Sequence, residues 1–154
     1  MRKILFLAML FSAAIACYSQ NAKQLLDKYG KVEDAEYHHI NKIGVTLVKM
    51  LGKQMPKGIK HINSVRILDL ENFSPQIKEQ FNEDVNRLKG YELMISANED
   101  GEQSQIFIKE KHDKIKEVLI INQENDEIDC VLIKGNIKTD ELEELTKAGT
   151  FSNF

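Results

Sequence analysis

The chain has 154 residues, with 24 acids against 21 lysines and arginines and a formal net charge of −3. An acidic balance argues against general nucleic-acid binding, which needs a basic footprint. Tryptophan is absent and aromatics make up 7% of the residues, so a stacking platform for bases or sugars would be sparse.

The first element is a leader. Arg2 and Lys3 form a short positive region, residues 4–16 are an apolar run broken only by Ser12, and Ala14-Ile15-Ala16 offers small residues at the spacing of a signal-peptidase site. A membrane-spanning helix needs about 20 apolar residues; this run is shorter, and polar Gln20 and Asn21 follow it. We therefore expect export, with a signal peptide over 1–19 and a single α+β domain over 20–154. Two other cuts stay open: after Ala16, or lipoprotein processing at Cys17, which would tether the domain to a membrane. Ala14 stands where lipoprotein signals usually carry leucine.

A cut after residue 19 leaves Cys130 as the one thiol, too few for an internal disulfide. It sits in an apolar, strand-like run over 128–133, where a buried cysteine acts as a small hydrophobe.

A short helix is expected over 21–30, capped by Asn21, with Leu25, Leu26 and Tyr29 on one face and Gly30 at its exit. Residues 35–40 read as a weak strand. Over 41–53, Ile43, Leu47, Met50 and Leu51 recur at helical spacing, and 54–60, with Pro56 and Gly58, form a loop. A strand over 64–70 follows. The clearest helix has Ser74 as its cap and Pro75 in its first turn. Ile77, Phe81, Val85 and Leu88 form its apolar stripe, Glu83 and Arg87 pair on its wet face, and Gly90 ends it.

The period then shortens. Tyr91, Leu93 and Ile95 alternate with Glu92, Met94 and Ser96, and a turn over 98–101 leads to a strand at Ile106-Phe107-Ile108. A turn at 111–114 precedes apolar runs over 118–121 and 128–133, joined by a polar loop over 122–127. Thr139 caps a last helix that buries Leu142 and Leu145 and closes at Gly149.

This order predicts an α+β fold of two layers: a mixed, mostly antiparallel sheet of five to six strands ending in a four-strand meander, with helices mainly on one face and the other partly wet. Helical crossovers would make the first neighbouring strands parallel. The runs 119–121 and 131–133, apolar on both sides, should lie centrally.

Chemistry is harder to find. His38 and His39 are adjacent, and neighbours on a strand face opposite ways, so they cannot chelate one ion together. Residues 96–101 partly match a calcium loop, but Ser96 replaces the first acid and Phe107 the closing glutamate; a hairpin turn explains them better. The acid pairs Glu33/Asp34 and Glu143/Glu144 read as solvated surface, Lys134-Gly135-Asn136 is too short for a phosphate loop, and Asn72-Phe73-Ser74 matches a glycosylation sequon whose serine suits a helix cap. No nucleophile elbow or dinucleotide fingerprint occurs. We expect no catalytic residue, no cofactor and no metal ligand.

The residue pattern nevertheless resembles a family. Leu25-Leu26-Asp27-Lys28-Tyr29, Ile40-Asn41-Lys42, Val65-Arg66-Ile67-Leu68, Tyr91-Glu92-Leu93-Met94, Ile106-Phe107-Ile108-Lys109, Leu119-Ile120-Ile121 and Ile133-Lys134-Gly135-Asn136-Ile137 are similar to the domain-of-unknown-function 4252 family of small exported proteins from Bacteroidetes-type bacteria. The stretch Glu36-Tyr37-His38-His39 departs from that family's more apolar strand. The resemblance implies export and a single domain, and brings no activity or functional residue.

The expected function is a non-catalytic binding module of the cell envelope, with a protein or peptide partner and no nucleic acid, and with membrane contact only through a lipidated Cys17. Two alternatives are a small hydrolase using carboxylates with His38, His61 or His112 as base, and an envelope sensor.

Overall fold

The computed structural model describes residues 20–45 and 60–142. In chain order these form α1 (Ala22–Tyr29), β1 (Ala35–Ile40), β2 (Ile62–Glu71), α2 (Pro75–Asn86), β3 (Glu92–Glu99), β4 (Glu102–Glu110), β5 (Ile115–Glu124) and β6 (Glu127–Ile137). Residues 42–45 and 139–142 are also helical. Of the expectations from sequence, the leader with Cys17, most of the 41–53 helix, most of the 54–60 loop, and Leu145 and Gly149 lie outside the described residues.

The helix α1 starts on a capping box: the Asn21 side chain accepts from the Gln24 N–H at 2.9 Å, and Gln24 Oε1 accepts from the Asn21 N–H at 3.1 Å. Gly30 ends it for a reason of space, since a Cβ there would lie 2.8 Å from Tyr37 Cδ1. Pro75 opens α2, but Ser74 makes no side-chain cap bond; its carbonyl accepts from Ile77 and Lys78 instead. At 139–142 the cap differs from the expected Thr139. Glu141 reaches back to the Lys138 N–H, and the Lys138 carbonyl accepts from Leu142.

The α+β class holds, with one six-stranded sheet in the order β1-β2-β6-β5-β4-β3. Every pairing is antiparallel, which corrects the expected parallel pairs and so the mixed sheet. The chain leaves β1 at Ile40 and re-enters at Ile62, at the same end of the β1–β2 ladder, so the excursion is a long hairpin rather than a crossover. The connection through α2 does join strands of like direction. Those strands, β2 and β3, are separated by β6, β5 and β4, because the meander folds back from the far edge to meet β2. As expected, β5 and β6 are central.

The two faces carry separate cores. On one, Ala22, Leu25, Leu26 and Tyr29 of α1 and Phe81 and Val85 of α2 pack on Leu68, Leu119, Ile121, Ile128 and Leu132. The Tyr29 and Phe81 rings meet edge to face at 5.0 Å. Cys130 is fully buried here, as its apolar run implies. On the other face, Val118, Ile120 and Ile133 pack with Val45 and Leu142 from the two helical turns. The central strands alternate apolar on both sides, so both faces need cover, and the second face is drier than the expected partly wet one.

Polar contacts tie the layers together. Tyr37 donates to Asp27 at 2.7 Å and accepts from Arg66 at 2.9 Å, fixing β1 against α1. Burial raises the Asp27 pKa, but the bonds from Lys23 and Tyr37 outweigh it and hold the carboxyl below its ordinary value. Asp84, buried on α2, accepts from Tyr29 at 2.8 Å and from Lys28 at 2.5 Å. Tyr91 donates to Glu117 and accepts from the Ala22 N–H, linking the start of α1 to β5.

Candidate binding surface

The two sheet edges differ. β1 is six residues long, and its exposed positions carry Glu36, His38 and His39, polar side chains of the kind that blunt an edge. β3 is eight residues long and exposed throughout. Leu93, Met94 and Ile95 are 46%, 48% and 47% exposed, and with Ile43 they are the large apolar side chains left in solvent among the described residues. A bulge between Leu93 and Ile95 breaks the alternation that the sequence shows there, so Leu93 lies opposite Phe107 and Ile95 opposite Ile106, on different faces of the sheet. An extra residue in one strand shifts its register and turns successive side chains out of phase.

The face bearing Ile95 is ordered in rows that cross the strands. The outermost row holds Glu99 and Glu102, paired across β3 and β4, and Glu124, Glu127 and Glu71, paired across β5, β6 and β2. The Gln103–Gln123 pairing just inside places these two groups in one row. The next row on this face runs Ala97, Ser104, Asn122, Asp129, Asp69 and Glu36. The third runs Ile95, Ile106, Ile120, Val131, Ile67 and His38, where the apolar layer begins.

Like charges therefore face one another, and none of the five outer glutamates, Asp69 or Asp129 has an ion-pair partner among the described residues. Burial first, and then the neighbouring Asp69, Glu127 and Glu71, push the Asp129 carboxyl up to about 6. Glu127 shifts the same way, through burial and the charges of Asp69, Glu71, Glu124 and Asp126. One oxygen of Asp69 is buried without a hydrogen-bond partner. Carboxylate oxygens of Asp69, Glu71 and Glu127 lie within 4.8 Å of one another, so these three side chains could hold a hard cation. Cross-strand register alone brings them together, and sequence reading assigned no ligand here.

The histidines are dispersed. His38 and His39 lie on opposite faces of β1, with His38 3.7 Å from Glu36. His61 precedes β2, 3.4 Å from Glu141, and His112 occupies the β4–β5 turn at φ 54°. No two of them share a hydrogen bond or a sheet row. The calcium-like stretch is the β3–β4 turn, with Asp100 and Gly101 both at positive φ as a tight hairpin requires.

Sequence reading missed both features of this surface, although each left a signal. Leu93-Met94-Ile95 is an uninterrupted apolar triplet that interrupts the strand's period of two. Both tight hairpins have glutamate at each foot, as Glu99-Asp100-Gly101-Glu102 and Glu124-Asn125-Asp126-Glu127.

Fold and surface together define a class: an antiparallel α+β domain with helical segments packed on both faces of its sheet and, among the described residues, one open apolar edge beside an acidic margin. Within that class the chain belongs to the family described as Domain of unknown function (DUF4252), whose model matches residues 21–145. No curated protein and no solved structure matches it.

Proposed function

We propose that the protein is an exported, non-catalytic binding module of the bacterial envelope that engages an extended segment of a partner protein along β3. One observation carries this reading: among the described residues β3 has no strand on its outer side, and it leaves Leu93, Met94 and Ile95 in solvent. An unpaired strand offers a row of backbone donors and acceptors, and added strands use them for affinity while alternate side chains give specificity. The leader at 1–19 supports export, and lipidation at Cys17 would hold the module at a membrane.

The hydrolase alternative gains no support from the histidines, which lie apart on β1, before β2 and in the β4–β5 turn. A sensor role would use the same edge for its output.

Partner capture from envelope extract tests the proposal. The wild-type protein should recover a defined partner, and Ser96→Pro, which puts a residue without an N–H in the middle of β3, should lose it while the circular dichroism spectrum is retained. A partner recovered equally by both proteins would contradict the use of this edge.

A further inference from the structure

Given the reading of β3 as a docking edge, we infer that its partner is an extended segment that pairs antiparallel to β3 and places a basic residue opposite Glu99 and an apolar residue, four positions later, opposite Ile95.

The sheet register supplies the argument. Residues directly opposite each other in an antiparallel pair share a face. An added strand would therefore extend each existing row by one position. Its residue opposite Glu99 joins the row that already holds Glu99 and Glu102. Its residue opposite Ala97 joins the Ser104–Asn122 row, and the one opposite Ile95 joins the apolar row of Ile106 and Ile120. In an antiparallel partner the order from its N-terminus is basic, any, small, any, apolar. The residues opposite Asn98 and Ser96 fall on the other face.

Charge selects the sign of the first position. Glu99 and Glu102 lie directly across from each other without an ion-pair partner among the described residues, so a third acid in that row would be repelled and a lysine or arginine attracted. Charge also decides against a second copy of this chain. β3 reads Glu-Leu-Met-Ile-Ser-Ala-Asn-Glu and holds no basic residue, so no self-pairing of β3 can supply a cation opposite Glu99. The bulge between Leu93 and Ile95 limits regular pairing to the stretch from Ile95 to Glu99, which sets the five-residue length of the motif.

The test uses the full protein and two fluorescein-labelled peptides, Lys-Thr-Thr-Thr-Val-Thr and Glu-Thr-Thr-Thr-Val-Thr, read by fluorescence anisotropy at low salt. The lysine peptide should bind about fivefold more tightly, the order of one to two cross-strand charge pairs. Glu99→Lys with Glu102→Lys should reverse that order, and methylating alternate backbone nitrogens of the peptide should abolish binding. Equal binding of the two peptides would overturn the charge rule while leaving the docking edge intact. Binding that survives backbone methylation would overturn strand addition. Failure of both peptides to bind, with partner capture still lost in Ser96→Pro, would overturn the motif alone. Sedimentation of the protein as a dimer that Met94→Lys dissociates would overturn it in favour of a second copy.

Discussion

Asp69 of β2 lies directly across the ladder from Asp129 of β6, with Glu71 facing Glu127 one row further out. Asp129 keeps its proton in the folded chain up to about pH 6, against 3.8 for an unperturbed aspartate. Between those values the folded form binds more protons than the unfolded one, so stability falls as pH rises through the window. Urea unfolding should therefore show a lower midpoint at pH 7 than at pH 5. Asp129→Asn should flatten that difference and stabilise the neutral form by up to ~1 kcal/mol, the size of a cross-strand like-charge pair. The lowered Asp27 carboxyl acts oppositely, its stability being lost only as pH falls below about 4.

Gly135 closes the β2–β6 ladder near its bulge. A Cβ there would sit 2.3 Å from the backbone oxygen of His61, which cannot swing aside as a side chain would. Gly135→Ala should destabilise the domain by about 1–3 kcal/mol, the range for forced overpacking, as a drop in urea midpoint. The same change at Lys134, a residue of the same strand with a partly exposed side chain, should cost less.

Tyr91 holds two contacts, donating to Glu117 and accepting from the Ala22 N–H. Burial, then the Glu117 bond, raises its hydroxyl pKa far above the ordinary tyrosine range. Tyr91→Phe should cost about 1–3 kcal/mol, because the half-buried Glu117 carboxylate loses a donor. Hydrogen exchange should locate part of that loss at the start of α1.

The Cys130 thiol is buried, and burial followed by the nearby Asp129 charge pushes its pKa well above the ordinary thiol value. A thiol reagent should leave Cys130 unlabelled in the folded protein at pH 8 and modify it only after denaturant is added. The number of thiols then titrated also reports processing. A chain cut after residue 19 shows one free thiol, and an unlipidated chain retaining Cys17 shows two.

Local signals in the sequence carried far. The Asn21 cap, the Phe81 and Val85 stripe, the Asp100-Gly101 turn and the apolar runs of β5 and β6 each fixed an element from neighbouring residues alone. Strand order did not follow, because it depends on which distant edge the meander returns to. That return brings β6, rather than β3, against β2. The surface was hidden for the same reason. Glu71 lies far from Glu127 in sequence, and only the β2–β6 pairing makes them neighbours. The alternation of Leu93 and Ile95 in the sequence does not carry through the fold, because a bulge between them resets it.

Use of β3 by a partner in the envelope is open to a test in the cell. Site-specific photocrosslinking in living cells tests it most directly, with the crosslinker placed at Met94 on β3 in one strain and at His38 on the opposite edge in another. Docking along β3 should give one defined adduct from position 94 and none from position 38. Adducts from position 38 alone, or no adduct from either, would contradict it.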